Sequence, residues 1–378
     1  MKSRILFIAI LFGVAFYAGE PGDEVLLKKA EKLMLLNPKA AFKIADKAYR
    51  SNTLDHKETI HSLFILTNTS NLLQNPLDVI RYGNEALKIA DNGDDVITKI
   101  KILGILGNTY QFLKLNEKTR IYLDQAELLL NSPKIPDSLN LVKGNIYYLK
   151  GMNYFYGLDS DIALSYFNKA ISQYVNSKNP LAEINIKIAY LNKGYCLINQ
   201  KKFSEALENL KLASVSPNES SRPYPPQFAD LQDVFIELGK ARILSAEANP
   251  QLSNAMLFDI LEKRKNQPYR DDIENDIYEL LATNFLQLRD IEKHDYYESL
   301  FLKQVDKSNY EAAVWVNKLI AQESLENEKQ TTKLNHKYWL LITFFSLILG
   351  SVIIFLCFIT IRTEQKRRLL KKDVSENI

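Results

Sequence analysis

Residues 147–170 read Tyr-Tyr-Leu-Lys-Gly-Met-Asn-Tyr-Phe-Tyr-Gly-Leu-Asp-Ser-Asp-Ile-Ala-Leu-Ser-Tyr-Phe-Asn-Lys-Ala, and residues 190–213 repeat their frame. Gly151 and Gly194 are 43 positions apart, as are Ala163 and Ala206, Phe167 and Leu210, and Ala170 and Ala213. An earlier copy carries Gly107, Tyr110, Thr119, Leu123 and Ala126, with Thr119 in place of the first alanine. Small residues at fixed intervals let two helix backbones approach, and large apolar residues between them fill the gap to the next unit. Self-similarity at such a period predicts stacked helix pairs, an all-α helical-repeat superhelix or α-solenoid.

The frame Tyr147–Ala170 supplies Gly151, Tyr154, Ala163, Phe167 and Ala170, and Tyr190–Ala213 supplies Gly194, Leu197, Ala206, Leu210 and Ala213. This resembles the tetratricopeptide repeat (TPR) family, whose usual period is roughly 34 residues. The longer period here places the excess in longer second helices or in connections such as 174–182 and 214–227. Two weaker units lie upstream, at 60–90 with Tyr82 and Ala86, and at 23–50 with Ala41, Ala45 and Ala48. The array is therefore expected over 23–213. A loop follows at 214–227, which holds four of the twelve prolines. Further TPR-like helices are expected over 228–322, at 228–246, 251–265, 270–288 and 291–306. A long helix at 309–337 follows, with Trp315 and Leu319 capping the array and 323–337 forming a polar helical stalk.

Two uncharged apolar runs lie near the ends of the chain. Ile5–Ala18 is uncharged and follows Lys2 and Arg4. As a helix this run reaches about 21 Å, short of the roughly 30 Å hydrocarbon core. That pattern reads as a signal peptide over 1–18; the alternative is an uncleaved N-terminal anchor. Tyr338–Ile361 has no charge, and sixteen of its residues are Leu, Ile, Val or Phe. It spans about 36 Å as a helix, enough for one transmembrane helix over 338–361. The tail 362–378 carries six basic residues against three acidic ones. The positive-inside rule puts that tail in the cytoplasm and the repeats outside. A bacterial inner-membrane protein with a periplasmic array is expected. Ser346 and Gly350 have a small-x-x-x-small spacing that could pair two spans into a dimer.

The layout resembles bacterial membrane-anchored TPR regulators, in which a helix-turn-helix or kinase domain follows the span. Here the 17-residue tail cannot bury a core, so their output is not carried over.

Composition excludes several classes. The chain carries 48 Lys and Arg against 45 Asp and Glu, which argues against a nucleic-acid binder. Thirteen glycines and twelve prolines are about half to two-thirds of ordinary usage, which disfavours a turn-rich β fold. Two cysteines and four histidines leave little for a disulfide scaffold or a metal centre. No phosphate-binding loop, HExxH, GxSxG or CxxC pattern occurs. No catalytic residue, cofactor or metal is expected, and the protein is read as non-enzymatic.

In this family the first helix of each pair lines the concave face. The corresponding positions carry Asn108, Gln111 and Phe112, then Asn145, Tyr148, Leu149, Met152, Phe155 and Tyr156, then Leu191, Asn192, Tyr195, Ile198 and Asn199. Gly104, Leu149 and Ile188 stand where a carboxylate clamp would want cations or amides, so such a clamp is disfavoured. The expected groove is Asn108, Gln111, Phe112, Tyr148, Met152, Asn192 and Tyr195. These aromatic and amide groups suit an extended protein or peptide segment; the competing expectation is that the aromatic residues pack between helices. Two functions remain open. One is a membrane-anchored scaffold, and the other is a sensor that passes a periplasmic state to a separate cytoplasmic partner.

Overall fold

The computed structural model describes residues 23–51, 53–90, 95–132, 136, 139–157, 159–215, 228–263, 265 and 270–376. The expected signal peptide, and the loop beyond residue 215, lie outside these residues. The described residues form fourteen α-helices and no strand.

The helices pair in chain order. Repeat 1 is α1 (Asp23–Leu33) with α2 (Pro38–Arg50), and repeat 2 is α3 (His56–Leu72) with α4 (Pro76–Ala90). Repeat 3 is α5 (Val96–Phe112) with α6 (Asn116–Leu130), and repeat 4 is α7 (Asn140–Tyr156) with α8 (Ser160–Val175). Repeat 5 is α9 (Leu181–Asn199) with α10 (Phe203–Ala213), and repeat 6 is α11 (Phe228–Ala246) with α12 (Pro250–Lys263). Repeat 7 is α13 (Arg270–Gln287) with the start of α14 (Ile291–Glu376). In repeats 1 to 6 each first helix packs on its own partner and on the first helix of the next repeat. This is the nearest-neighbour stacking of a TPR-like solenoid.

The glycines sit where the repeat frame places them. A Cβ on Gly151 would lie 2.7 Å from the Phe167 ring, one on Gly107 2.7 Å from Leu123, and one on Gly194 3.0 Å from Leu210. The paired positions of the sequence repeat are thus the close approaches of each helix pair. Ala163, Ala170, Ala206 and Ala213 are buried, as are Ala41, Ala45, Ala48 and Ala86 of the weaker units.

The turn within each pair recurs as well. Gln74, Lys114, Lys201, Ala248 and Arg289 adopt φ of 55 to 60° in the turns of repeats 2, 3, 5, 6 and 7. The following N–H donates five residues back, Asn75 to the Ser70 carbonyl at 3.0 Å, Leu115 to Tyr110 at 2.9 Å and Lys202 to Leu197 at 2.9 Å. This is the Schellman closure of a helix end. The next helix then starts on a cap such as Asp290, whose carboxylate accepts from the Lys293 N–H at 3.2 Å.

The expected helices at 228–246, 251–265 and 270–288 match α11, α12 and α13. The expected break between 306 and 309 does not occur, because α14 runs unbroken from Ile291 to Glu376. No Gly or Pro interrupts 291–337, so the polar run Asp306-Lys-Ser-Asn stays helical. The described residues divide into two segments, on either side of Val316 and Asn317. Leu319 is buried and Trp315 half-buried, whereas 323–337 is exposed throughout. Among the described residues α14 alone is long and apolar enough to cross a membrane, and its apolar window is unburied.

Candidate functional site

The first helices α3, α5, α7, α9, α11 and α13 stand side by side, and their inward faces form the candidate surface. Four of the seven expected groove residues are sealed into it. Tyr148, Met152, Asn192 and Tyr195 are buried. Asn192 Nδ2 donates to the Tyr148 hydroxyl and to the Ile188 carbonyl, both at 3.0 Å. The Tyr195 hydroxyl donates to the Phe235 carbonyl of α11 at 2.8 Å. Burial pushes both tyrosine pKa values up. These side chains tie one repeat to the next, as the competing expectation had it. Periodicity identifies the face but not its depth, and inward-pointing side chains of neighbouring first helices meet before they reach the groove.

Asn108, Gln111 and Phe112 of α5 are half-buried. Gln111 Oε1 has no hydrogen-bond partner, and Phe112 lines a small cleft between repeats 2 and 3 with Asn71, Gln74, Val79 and Thr109. One turn away on α3, Asn68 is buried with neither amide atom hydrogen-bonded. A buried amide without a partner is costly, so this face holds hydrogen-bonding capacity that the fold does not consume.

Charge lies at both ends of the face. The buried Lys101 ammonium sits 5.5 Å from the centre of the Phe64 ring, and burial lowers its pKa against the pull of Asp95 and Glu31. In repeats 6 and 7 the Arg242 guanidinium lies 3.1 Å from Glu279 and 3.7 Å from Asp276. Burial opposes its charge, and the two carboxylates outweigh burial and hold it protonated.

Asn68, Asn71 and Lys101 were missed by the sequence reading. Repeat 2 has Thr67 where repeats 3 to 5 have glycine, which hid its register. In the structure the recurring turn around Gln74 and Asn75 aligns it with the other repeats. Lys101 lies one turn before Gly104, the position where a cation was sought.

Elsewhere, Lys150 is clamped by Asp124 at 2.7 Å and by Glu127, and Tyr166 donates to Glu127 at 3.0 Å. This cluster joins α6, α7 and α8 and explains a buried lysine within the stack. His294, Asp295 and Glu298 form the metal-capable group found among the described residues, at the start of α14.

No family model and no curated protein matches the chain. Solved structures do. NprR in complex with its cognate peptide NprX aligns with TM-score 0.59 at 14% identity, over 82% of this chain and 90% of that one. A Rap protein complexed with competence and sporulation factor aligns with TM-score 0.54 at 15% identity, over 77% and 89%. The apo form of the quorum sensor NprR from B. thuringiensis aligns with TM-score 0.55 at 12% identity, over 77% and 80%. At these identities the likeness shows the fold: an all-α, TPR-like helical-repeat array.

Proposed function

We propose that this protein is a non-enzymatic, membrane-anchored TPR-like receptor that holds a protein or peptide segment against the first-helix face of its array. The observation that carries the reading is the array itself, which is similar in fold to NprR in complex with its cognate peptide NprX and to a Rap protein complexed with competence and sporulation factor. The half-buried groups of repeat 3, with the unpartnered amide of Asn68 and amide oxygen of Gln111, support a ligand with backbone hydrogen-bonding groups. α14 supplies the anchor. The basic tail and the apolar start of the chain support an array in the periplasm and a cytoplasmic C-terminus, with 1–18 as export signal and 362–378 as tail. The sensor reading is favoured by one observation: α14 is a single helix from repeat 7 through the apolar run to Glu376.

The test separates contact from packing. In the full chain, Gln111→Ala with Phe112→Ala should weaken partner capture by about 2 kcal/mol, roughly thirtyfold, with melting unchanged. Tyr148→Ala with Tyr195→Ala should lower melting instead. Capture that survives the first pair with melting intact removes repeat 3 from the binding surface.

A further inference from the structure

Hydrogen bonds between repeats here span about one repeat length, as Tyr49 to Glu85 and Gln232 to Lys187 do. One side chain reaches much further. Lys114 Nζ donates to Ser308 Oγ at 3.2 Å and to Asn309 Oδ1, 194 and 195 positions away. Lys114 is the left-handed residue of the repeat 3 turn, with φ 60°, so its backbone is pinned by the Schellman closure on either side. Ser308 lies in the break that sequence alone places between 306 and 309, and Asn309 is where the next helix was expected to start.

The other end of this stretch is fixed in repeat 7. His294 Nδ1 hydrogen-bonds the Ala282 carbonyl at 3.0 Å. Tyr297 stacks on Phe285 with ring centres 5.5 Å apart, and lies 6.1 Å from Tyr278 and 6.2 Å from Phe258. Between the two anchorages Leu300, Phe301, Gln304, Val305 and Ser308 are partly covered, the last four along one side of the helix, and Ala312 just beyond on that side is buried. Residues 291–312 thus form a rigid strut from repeat 7 to the turn of repeat 3. Seventeen residues separate Ile291 from Ser308, about 26 Å of helix.

A solenoid whose repeats touch only their neighbours opens and closes like a spring, because small changes at each interface add up. A strut between repeats 3 and 7 removes that freedom. We propose that residues 291–312 are a strap that sets the opening of the first-helix face, with Lys114 as its latch. Release of the latch lets repeats 3 to 7 spread, and re-formation closes them on a bound segment. The inference rests on the proposed binding reading only for which face takes the ligand. The latch is tested without any ligand.

The experiment uses the full chain in nanodiscs with Cys357→Ala, nitroxide labels at the exposed positions 120 and 303, and a control pair at 120 and 165. Pulsed dipolar spectroscopy reads both distances. Lys114→Ala should lengthen and broaden the 120–303 distribution and leave 120–165 unchanged, while Lys114→Arg keeps both narrow. An unchanged 120–303 distribution in Lys114→Ala overturns the latch. If Lys114→Ala moves both pairs, Ser308→Ala with Asn309→Ala decides by the same criterion, and movement of the control there also overturns it. Loss of peptide binding would leave this result standing, so the two readings fail separately.

Discussion

In the repeat array Leu66, Phe167 and Leu210 are sealed from solvent, whereas Phe345, Leu347 and Ile354 of α14 are 64%, 70% and 71% exposed. The residue types are the same; the pattern around them differs. Helix α8 sets Ala163, Phe167 and Ala170 on one face and Asp161, Asn168 and Lys169 on others, so one stripe needs covering and the neighbouring helices cover it. From Tyr338 to Ile361 no face is polar, so no packing of one side could finish the burial. A surrounding apolar phase would cover every face at once, and a helix suits such a phase because its backbone hydrogen bonds are internal. The lesson is that apolar content does not say what solvent a helix expects, but the periodicity of its polar residues does.

The largest effect that probes this contrast is Phe167→Ala. It empties the space against Gly151 and should cost the array about 3–5 kcal/mol, read by denaturant or thermal melting of the full chain. The membrane-bound fraction should not change. The converse substitution, Leu349→Arg, places a charge in the apolar run and should add about 2.5–3.5 kcal/mol to the cost of insertion, read as protein lost from the membrane fraction. Array melting should hold. If either substitution moved both readouts, the two regions would not be independent in the sense drawn here.

A finer distinction lies within the array. Gly151→Leu and Gly194→Leu should each cost about 1–3 kcal/mol by overpacking. The Gly151 variant should be the worse, because its Cβ meets a stiff ring at 2.7 Å, while that of Gly194 meets a rotatable leucine methyl at 3.0 Å. Equal or reversed losses would mean that the partner side chains yield differently from this packing.

Repeats 3 to 5 were legible because glycine and alanine recur at one spacing, and close approach leaves few alternatives at those positions. Repeats 1 and 2 were fainter, since Ala45 and Thr67 vary the pattern without breaking it. Repeat 7 was only half visible: Ala282 replaces glycine, and its second helix runs on into α14. The turns were illegible for a chemical reason. Their left-handed residues are Gln74, Lys114, Lys201, Ala248 and Arg289, none of which signals a positive φ. Of the expected groove residues, Tyr148, Met152, Asn192 and Tyr195 are less accessible than their helical spacing suggests. Tyr148 and Tyr195 look like anchors until the carbonyl of Phe235 and the amide of Asn192 are seen to occupy their hydroxyls.

The smallest effect is in alkaline stability. Burial raises the Cys196 thiol from its ordinary 9.0 to about 12. The folded array keeps this proton where the unfolded chain releases it, so its contribution is complete below pH 9 and is lost as pH rises toward 12. Melting against pH should therefore fall less steeply over that window in Cys196→Ala. Buried Tyr148 and Tyr195 act in the same direction and should keep the slope from vanishing.

Sidedness is the most direct test of an array outside the cytoplasm with its tail inside. In whole cells making the full chain with Cys357→Ala, a cysteine at position 165 or at position 375 is exposed to a membrane-impermeant maleimide. The account predicts that position 165 is labelled in intact cells and position 375 only after lysis. Labelling of position 375 in intact cells, with position 165 protected until lysis, would contradict it.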